Sequence, residues 1–141
     1  MNVSEVMTPN PRTVELSDTI QDAARIMREE DTGAVPVVEE GRVVGMVTDR
    51  DIVIRAVADG DFQATIDDIV SDDVVCATAG MTTAAAAELM GEHQIRRLPV
   101  VDDDENIIGI VSLGDLAVKE GGRDARMGET LENISEGVKR H

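Results

Sequence analysis

The phrase GMVTDRD at residues 45–51 returns at residues 109–115 as GIVSLGD, and the register holds well beyond it. Pro36 of AVPVVEE matches Pro99 of RLPVVDD, and Met27 of RIMREE matches Met90 of ELMGEH, each pair 63 positions apart. One extra residue in the acidic turn then sets Gly45 against Gly109 and Asp51 against Asp115, 64 apart. EVMTPNP (5–11) corresponds more loosely to DIVSDDV (68–74). Internal repetition at a fixed period means that one supersecondary unit is built twice. The boundaries that follow are a first repeat at 1–62, a second at 63–122 and a tail at 123–141.

Both repeats share a grammar. A short extended piece, RTVEL (12–16) or VVCAT (74–78), precedes a helix. In the first repeat Asp18 with Gln21 three residues on reads as a capping box, and Ile20, Ala23, Ala24 and Met27 fall on one helical face. In the second, Thr82 is the expected cap, and Ala85, Ala86, Leu89 and Met90 line the face. Two apolar strands follow, AVPVV with RVVGMV and RLPVV with NIIGIV, joined by acidic turns. A second helix opens at Asp49–Asp51 or Gly114–Asp115, with glycines at 60 and at 121–122 as stops. The unit is β-α-β-β-α. A single unit has too little core to stand alone, so the expected fold class is α/β (α+β), with two such repeats packed about a pseudo-two-fold axis.

Composition narrows what such a pair can bind. The net charge of −16 repels phosphate backbones and anionic membrane surfaces, so neither nucleic acid nor membrane is an expected partner. Phe62 is the only aromatic residue. Two lysines stand against eleven arginines, a balance that fits either a salt-rich cytoplasm or a GC-rich genome. Cys76 is the only cysteine, which excludes an internal disulfide and favours a reducing compartment. Neither a signal-peptide pattern nor an apolar run of ~18 residues is present, so a cytoplasmic location is expected.

The repeated phrase places a hydroxyl and, three residues later, a carboxylate where a strand becomes a helix. Thr48 with Asp51, and Ser112 with Asp115, can therefore form capping boxes that need no ligand. The same groups suit a nucleotide. A hydroxyl beside unpaired helix N–H groups can meet a phosphate, and a carboxylate can accept from the two hydroxyls of a ribose. Residue chemistry leaves both readings open.

VMTPNPRTV, GAVPVV and GMVTDRD in the first repeat, with QIRRLPVV and GIVSLGD in the second, resemble a tandem of CBS domains over about residues 3–120. Several short motifs in order, twice, make the resemblance specific, and it is closest to the small stand-alone CBS-pair type. It implies a regulatory module with two clefts that bind adenosine-containing ligands: AMP, ADP, ATP, S-adenosylmethionine or NAD. It also implies homodimers, and a sensor of energy or metabolite state rather than an enzyme. One cleft would use Ser112 and Gly114 for phosphate and Asp115 for ribose, with Thr8, Pro11, Thr32 and Gly33 near adenine, Ile110 opposite, and Arg97 as a phosphate partner. The other would use Thr48, Arg50 and Asp51, with Met46 as an apolar wall and Ser71, Val74, Ile95 and Arg96 from the second repeat. DDIVSDDVV departs from the family pattern by lacking the Met-Thr-x-x-Pro of the first repeat. The alternative for Arg96 and Arg97 is a solvated strand edge.

Other signals point elsewhere or nowhere. VVDDDEN (100–106) lacks the spacing of a calcium loop and reads as a hairpin turn. Ser112 is not in a G-x-S-x-G elbow, His93 reads as a helix end, Cys76 reads as a small apolar residue, and no metal site or catalytic set is expected. Met127, Leu131, Ile134 and Val138 form a helical stripe in the tail, suited either to its own domain or to a second subunit. The rival function is a ligand-independent interaction or dimerisation domain that regulates an unknown protein directly.

Overall fold

The computed structural model describes residues 1–70 and 74–119. The element order contains β-α-β-β-α twice, as the repeat requires. In the first repeat these are β2 (Val14–Glu15), α1 (Ile20–Glu30), β3 (Ala34–Glu39), β4 (Arg42–Thr48) and α2 (Asp49–Arg55). In the second they are β5 (Ala77–Thr78), α4 (Thr83–His93), β6 (Arg97–Val101), β7 (Ile107–Ser112) and α5 (Leu113–Lys119). Within the repeats, β1 (Thr8–Pro9) precedes the first β-α-β-β-α set and α3 (Ile66–Ile69) the second.

The chain folds into two compact units that do not coincide with the sequence repeats. One unit holds Pro11–Val74 with Asp104–Ile107. Its sheet runs β2-β3-β4, parallel and then antiparallel, and its core contains Val14, Ile20, Ala23, Ile26, Val35, Val37, Val47, Ile66 and Ile69. The other unit holds Met1–Asn10, Val75–Asp103 and the described residues from 108 onward. Its sheet runs β1-β7-β6-β5, around a core that includes Val3, Val6, Met90, Leu98, Val100, Val111 and Leu116.

Backbone hydrogen bonds bring each repeat's leading segment into a unit built mainly from the other repeat. The Val3 N–H donates to the Met81 carbonyl (2.8 Å), and the Thr83 N–H donates to that of Met1 (3.0 Å). Thr8 pairs with Ile110, and Pro9 with Gly109. In the first unit the Ile66 N–H donates to the Asp18 carbonyl (2.8 Å), and the Ile20 N–H to that of Ala64 (3.1 Å). Unpaired buried amides are costly, so these bonds fix where each segment lies.

Helix ends follow the repeat. Asp31 and Gln94, 63 apart, close α1 and α4 in the left-handed region with φ of 51° and 52°. The β3–β4 turn uses Glu40 (φ 53°) and Gly41 (φ 82°), the pair of positive φ angles that a two-residue hairpin of matching twist demands. Two sequence expectations for α1 are corrected. Its cap is Thr19 with Asp22, not Asp18 with Gln21, because the Asp18 carboxylate instead accepts from the Glu15 N–H (2.8 Å). Its buried face carries Ile26 rather than the exposed Ala24, the larger side chain having more apolar area to remove from water. Thr82 caps α4 as expected, with Ala86 and Met90 buried and Ala85 and Leu89 partly so; His93 ends that helix. The tail stripe lies outside the described residues.

Two predictions follow from these contacts. A methyl at Gly109 would overlap Met7 Sδ and come within 2.9 Å of Met7 Cγ and 3.1 Å of the Thr8 carbonyl. Gly109→Ala should therefore lower stability by about 1–3 kcal/mol in urea titration, with partial recovery in the Met7→Ala double variant. The second concerns Asp22, whose carboxyl is held below its ordinary pKa of 3.8 chiefly by the Thr19 backbone N–H and then by the Thr19 side chain. Because the folded state binds that proton less readily than the unfolded chain, the contribution is present above 3.8 and lost as pH falls through the depressed value. The urea-midpoint gap between wild type and Asp22→Asn should stay constant from pH 7 to about 5 and close below the ordinary carboxylate range.

Candidate functional site

In both units a strand passes into a helix with no intervening loop, at the repeated phrase. β4 ends at Thr48 and α2 begins at Asp49; β7 ends at Ser112 and α5 begins at Leu113. Thr48 keeps an extended backbone (φ −116°, ψ 162°), so its hydroxyl turns back over the first helical turn. The Asp51 N–H donates to Thr48 Oγ1 (3.1 Å), and the Thr48 N–H donates to Asp51 Oδ2 (3.0 Å). The second copy matches: the Asp115 N–H donates to Ser112 Oγ (3.0 Å), and the Ser112 N–H to Asp115 Oδ2 (3.0 Å).

Both phrases are thus capping boxes. The same chemistry recurs where no ligand was expected. Thr19 and Asp22 form a box at α1, and at α3 the Thr65 N–H and hydroxyl both donate to Asp68 Oδ2 (3.2 Å each). Spacing alone therefore does not select a ligand site. Each box uses only one oxygen of its acid. Asp115 Oδ1 stands outside its box, and Asp51 Oδ1 lies 3.8 Å from Arg55 Nε on a carboxylate whose side chain is 20% exposed. Such an oxygen is the acceptor a vicinal diol requires.

The remaining expected residues divide between the units. With Ser112, Gly114 and Asp115 the structure groups Thr8, Ile95, Arg96, Arg97 and Ile110. Thr8 pairs directly with Ile110, and the Leu113 N–H donates to the Arg96 carbonyl (2.7 Å), so Arg96 and Arg97 enter β6 beside the start of α5. Arg96 is exposed and Arg97 half-buried. With Thr48, Arg50 and Asp51 the other unit groups Pro11, Thr32, Gly33, Met46 and Val74. The Asp49 N–H donates to the Gly33 carbonyl (2.9 Å), and the Asp49 carboxylate packs so closely that a Cβ on Gly33 would meet it at 3.0 Å. Thr32 is half-buried, its hydroxyl 3.3 Å from the Ala34 carbonyl. Arg50 is exposed and Met46 half-buried. Ser71 lies outside the described residues. Two neighbours were not among the expected site residues: Asp49, read only as a helix start, and Arg55, for which the i,i+4 spacing from Asp51 is the available signal. Among the described residues no three His, Cys, Asp or Glu side chains gather as metal ligands, and no helix is long and apolar enough to cross a membrane.

A family model for the CBS domain matches the chain twice, over residues 3–57 and 66–120. The chain belongs to the CBS-domain family. CBS domain-containing protein YhcV of Bacillus subtilis is 44% identical over 135 residues, covering 95% of each chain. The crystal structure of the CBS domain pair of protein MJ0100, in complex with 5′-methylthioadenosine and S-adenosyl-L-methionine, aligns with a TM-score of 0.79 and 30% identity over 88% of this chain and 98% of that one. Hypoxic response protein 1 of Mycobacterium tuberculosis is 35% identical over 116 residues, 80% of each chain. A crystal structure of Hypoxic Response Protein I with two coordinated zinc ions aligns at a TM-score of 0.74 and 34% identity, over 84% of this chain and 98% of that one.

In this CBS pair the boxes carry a stability that can be measured without any ligand. Thr48→Ala and Ser112→Ala each remove a cap acceptor and should cost about 1 kcal/mol in urea titration. Asp115→Asn, which keeps an oxygen able to accept from the Ser112 N–H, should cost less than Ser112→Ala.

Proposed function

We propose that the protein is a regulatory module whose two repeats bind adenosine-containing ligands, with Asp51 and Asp115 accepting from ribose hydroxyls. The observation that carries this reading is the carboxylate oxygen left outside each capping box, at matching positions in both repeats. The box orients the acid before a ligand arrives, so little side-chain freedom remains to be lost on binding. Thr48 and Ser112 supply hydroxyls beside the same helix starts. Arg50, Arg96 and Arg97 are local counter-charges for a phosphorylated ligand on an otherwise acidic chain. Thr8, Pro11, Thr32, Gly33, Met46, Ser71, Val74, Ile95 and Ile110 are the proposed adenine and apolar contacts, and Gly114 the close backbone approach to phosphate. The bound 5′-methylthioadenosine and S-adenosyl-L-methionine of the MJ0100 pair support the adenosine class for this chain. AMP, ADP, ATP and NAD belong to the same chemical class. The output is a shift between two shapes or pairing states of a homodimer, which requires that the ligand bind one state better than the other. No catalytic role is proposed.

A second reading has its own support. Val53, Ile54 and Val57 expose 53, 52 and 41% of their surface, and Phe62 exposes 64%. Exposed apolar groups close together in the sequence suit a protein-interaction surface that acts without ligand. Pull-down of partners with and without nucleotide separates the two readings, since the second expects indifference to ligand.

Isothermal titration with AMP, ADP, ATP, S-adenosylmethionine, 5′-methylthioadenosine and NAD tests the first reading, and at least one should bind. Asp51→Asn and Asp115→Asn should each weaken binding by about tenfold at one set of sites, because a charged acceptor gives way to a neutral one. Silence across the panel, at both low and high salt, overturns the reading.

A further inference from the structure

We infer that Arg55 is a positioning residue that links the ribose-side carboxylate of Asp51 to the end of α3, so that ligand on Asp51 is felt there. The inference rests on the nucleotide-sensing reading and deepens it. Arg55 ends α2, one turn beyond Asp51. Its Nε lies 3.8 Å from Asp51 Oδ1, the oxygen outside the capping box, and its Nη1 donates to the Ile69 carbonyl (3.1 Å). Ile69 is the last residue of α3, where helix carbonyls lack partners within the helix, and its side chain is buried.

An exposed ion pair of this length contributes little by itself. What distinguishes this one is that the same guanidinium that faces a carboxylate on α2 also donates to the terminal carbonyl of α3. The planar fork allows this, whereas an ammonium is a point charge. A ribose hydroxyl that donates to Asp51 Oδ1 takes the oxygen Arg55 faces, and any adjustment of the guanidinium changes its bond to Ile69. The position 64 residues on is Lys119, so the second repeat lacks the fork.

The test uses the full chain, AMP and 5′-methylthioadenosine as probes, and Arg55→Ala made in both the wild-type and Asp51→Asn backgrounds. Arg55→Ala should weaken the Asp51-dependent sites by about threefold to tenfold in wild type and by less than twofold in Asp51→Asn, as expected for coupled neighbours. Without ligand, hydrogen exchange at residues 66–70 should speed up in Asp51→Asn as well as in Arg55→Ala, a response that a helix anchor independent of Asp51 would not give. Equal weakening in both backgrounds, or exchange at 66–70 unmoved by Asp51→Asn, overturns this inference and leaves the sensor reading intact. Failure of wild type to bind either probe or any other adenosine compound overturns both.

Discussion

The structure depends on a handful of backbone hydrogen bonds that commit each repeat's leading segment to a unit built mainly from the other repeat. The amides of Val3 and Thr83 on one side, and of Ile20 and Ile66 on the other, have partners far away in sequence. The cores depend on the same commitment. Val3 and Val6 are buried among residues of the second repeat, and Ile66 and Ile69 among residues of the first. Apolar burial drives the association, but it is non-directional, and the amide ladder sets the register.

Within each unit the second organising device is the reciprocal cap at a strand-to-helix turn. It uses one oxygen of a carboxylate, and the proposed function uses the other. One oxygen accepts a backbone N–H, and the other stands outside the box, facing Arg55 in the case of Asp51. On the proposed function no separate scaffold is required, since the group that starts the helix would also be the group offered to a ligand. The same device at Thr19 and Thr65 shows that it is ordinary structural equipment first.

Local features were legible in the sequence, and non-local ones were not. Repetition gave the element order twice over, together with the Thr82 cap and the helix end at His93, because these depend on residues within a turn or two of one another. The start of α1 was misplaced by one residue. Asp18 and Thr19 are both competent caps, and the choice was settled by the Asp18 carboxylate turning to the Glu15 amide and by the Asp18 carbonyl receiving Ile66, a distant partner. Ile26 replaced Ala24 on the buried face because periodicity admits either and packing prefers the larger group. The candidate acids were found by their repetition, while the CBS pattern supplied most of the residues placed around them. Arg55 escaped notice because its second partner is a backbone carbonyl, which no side-chain motif encodes.

The interleaving of segments has a consequence for how the chain can be divided. A cut between the repeats, near residue 62, would leave the first fragment without Ile66 and Ile69 to finish its core and would strand residues 1–10 with no host sheet. The second fragment would lack Val3, Val6 and the edge strand Thr8–Pro9 while carrying an orphaned α3. Neither product is a self-sufficient body. In this molecule the repeated stretch of sequence and the folded unit are different objects.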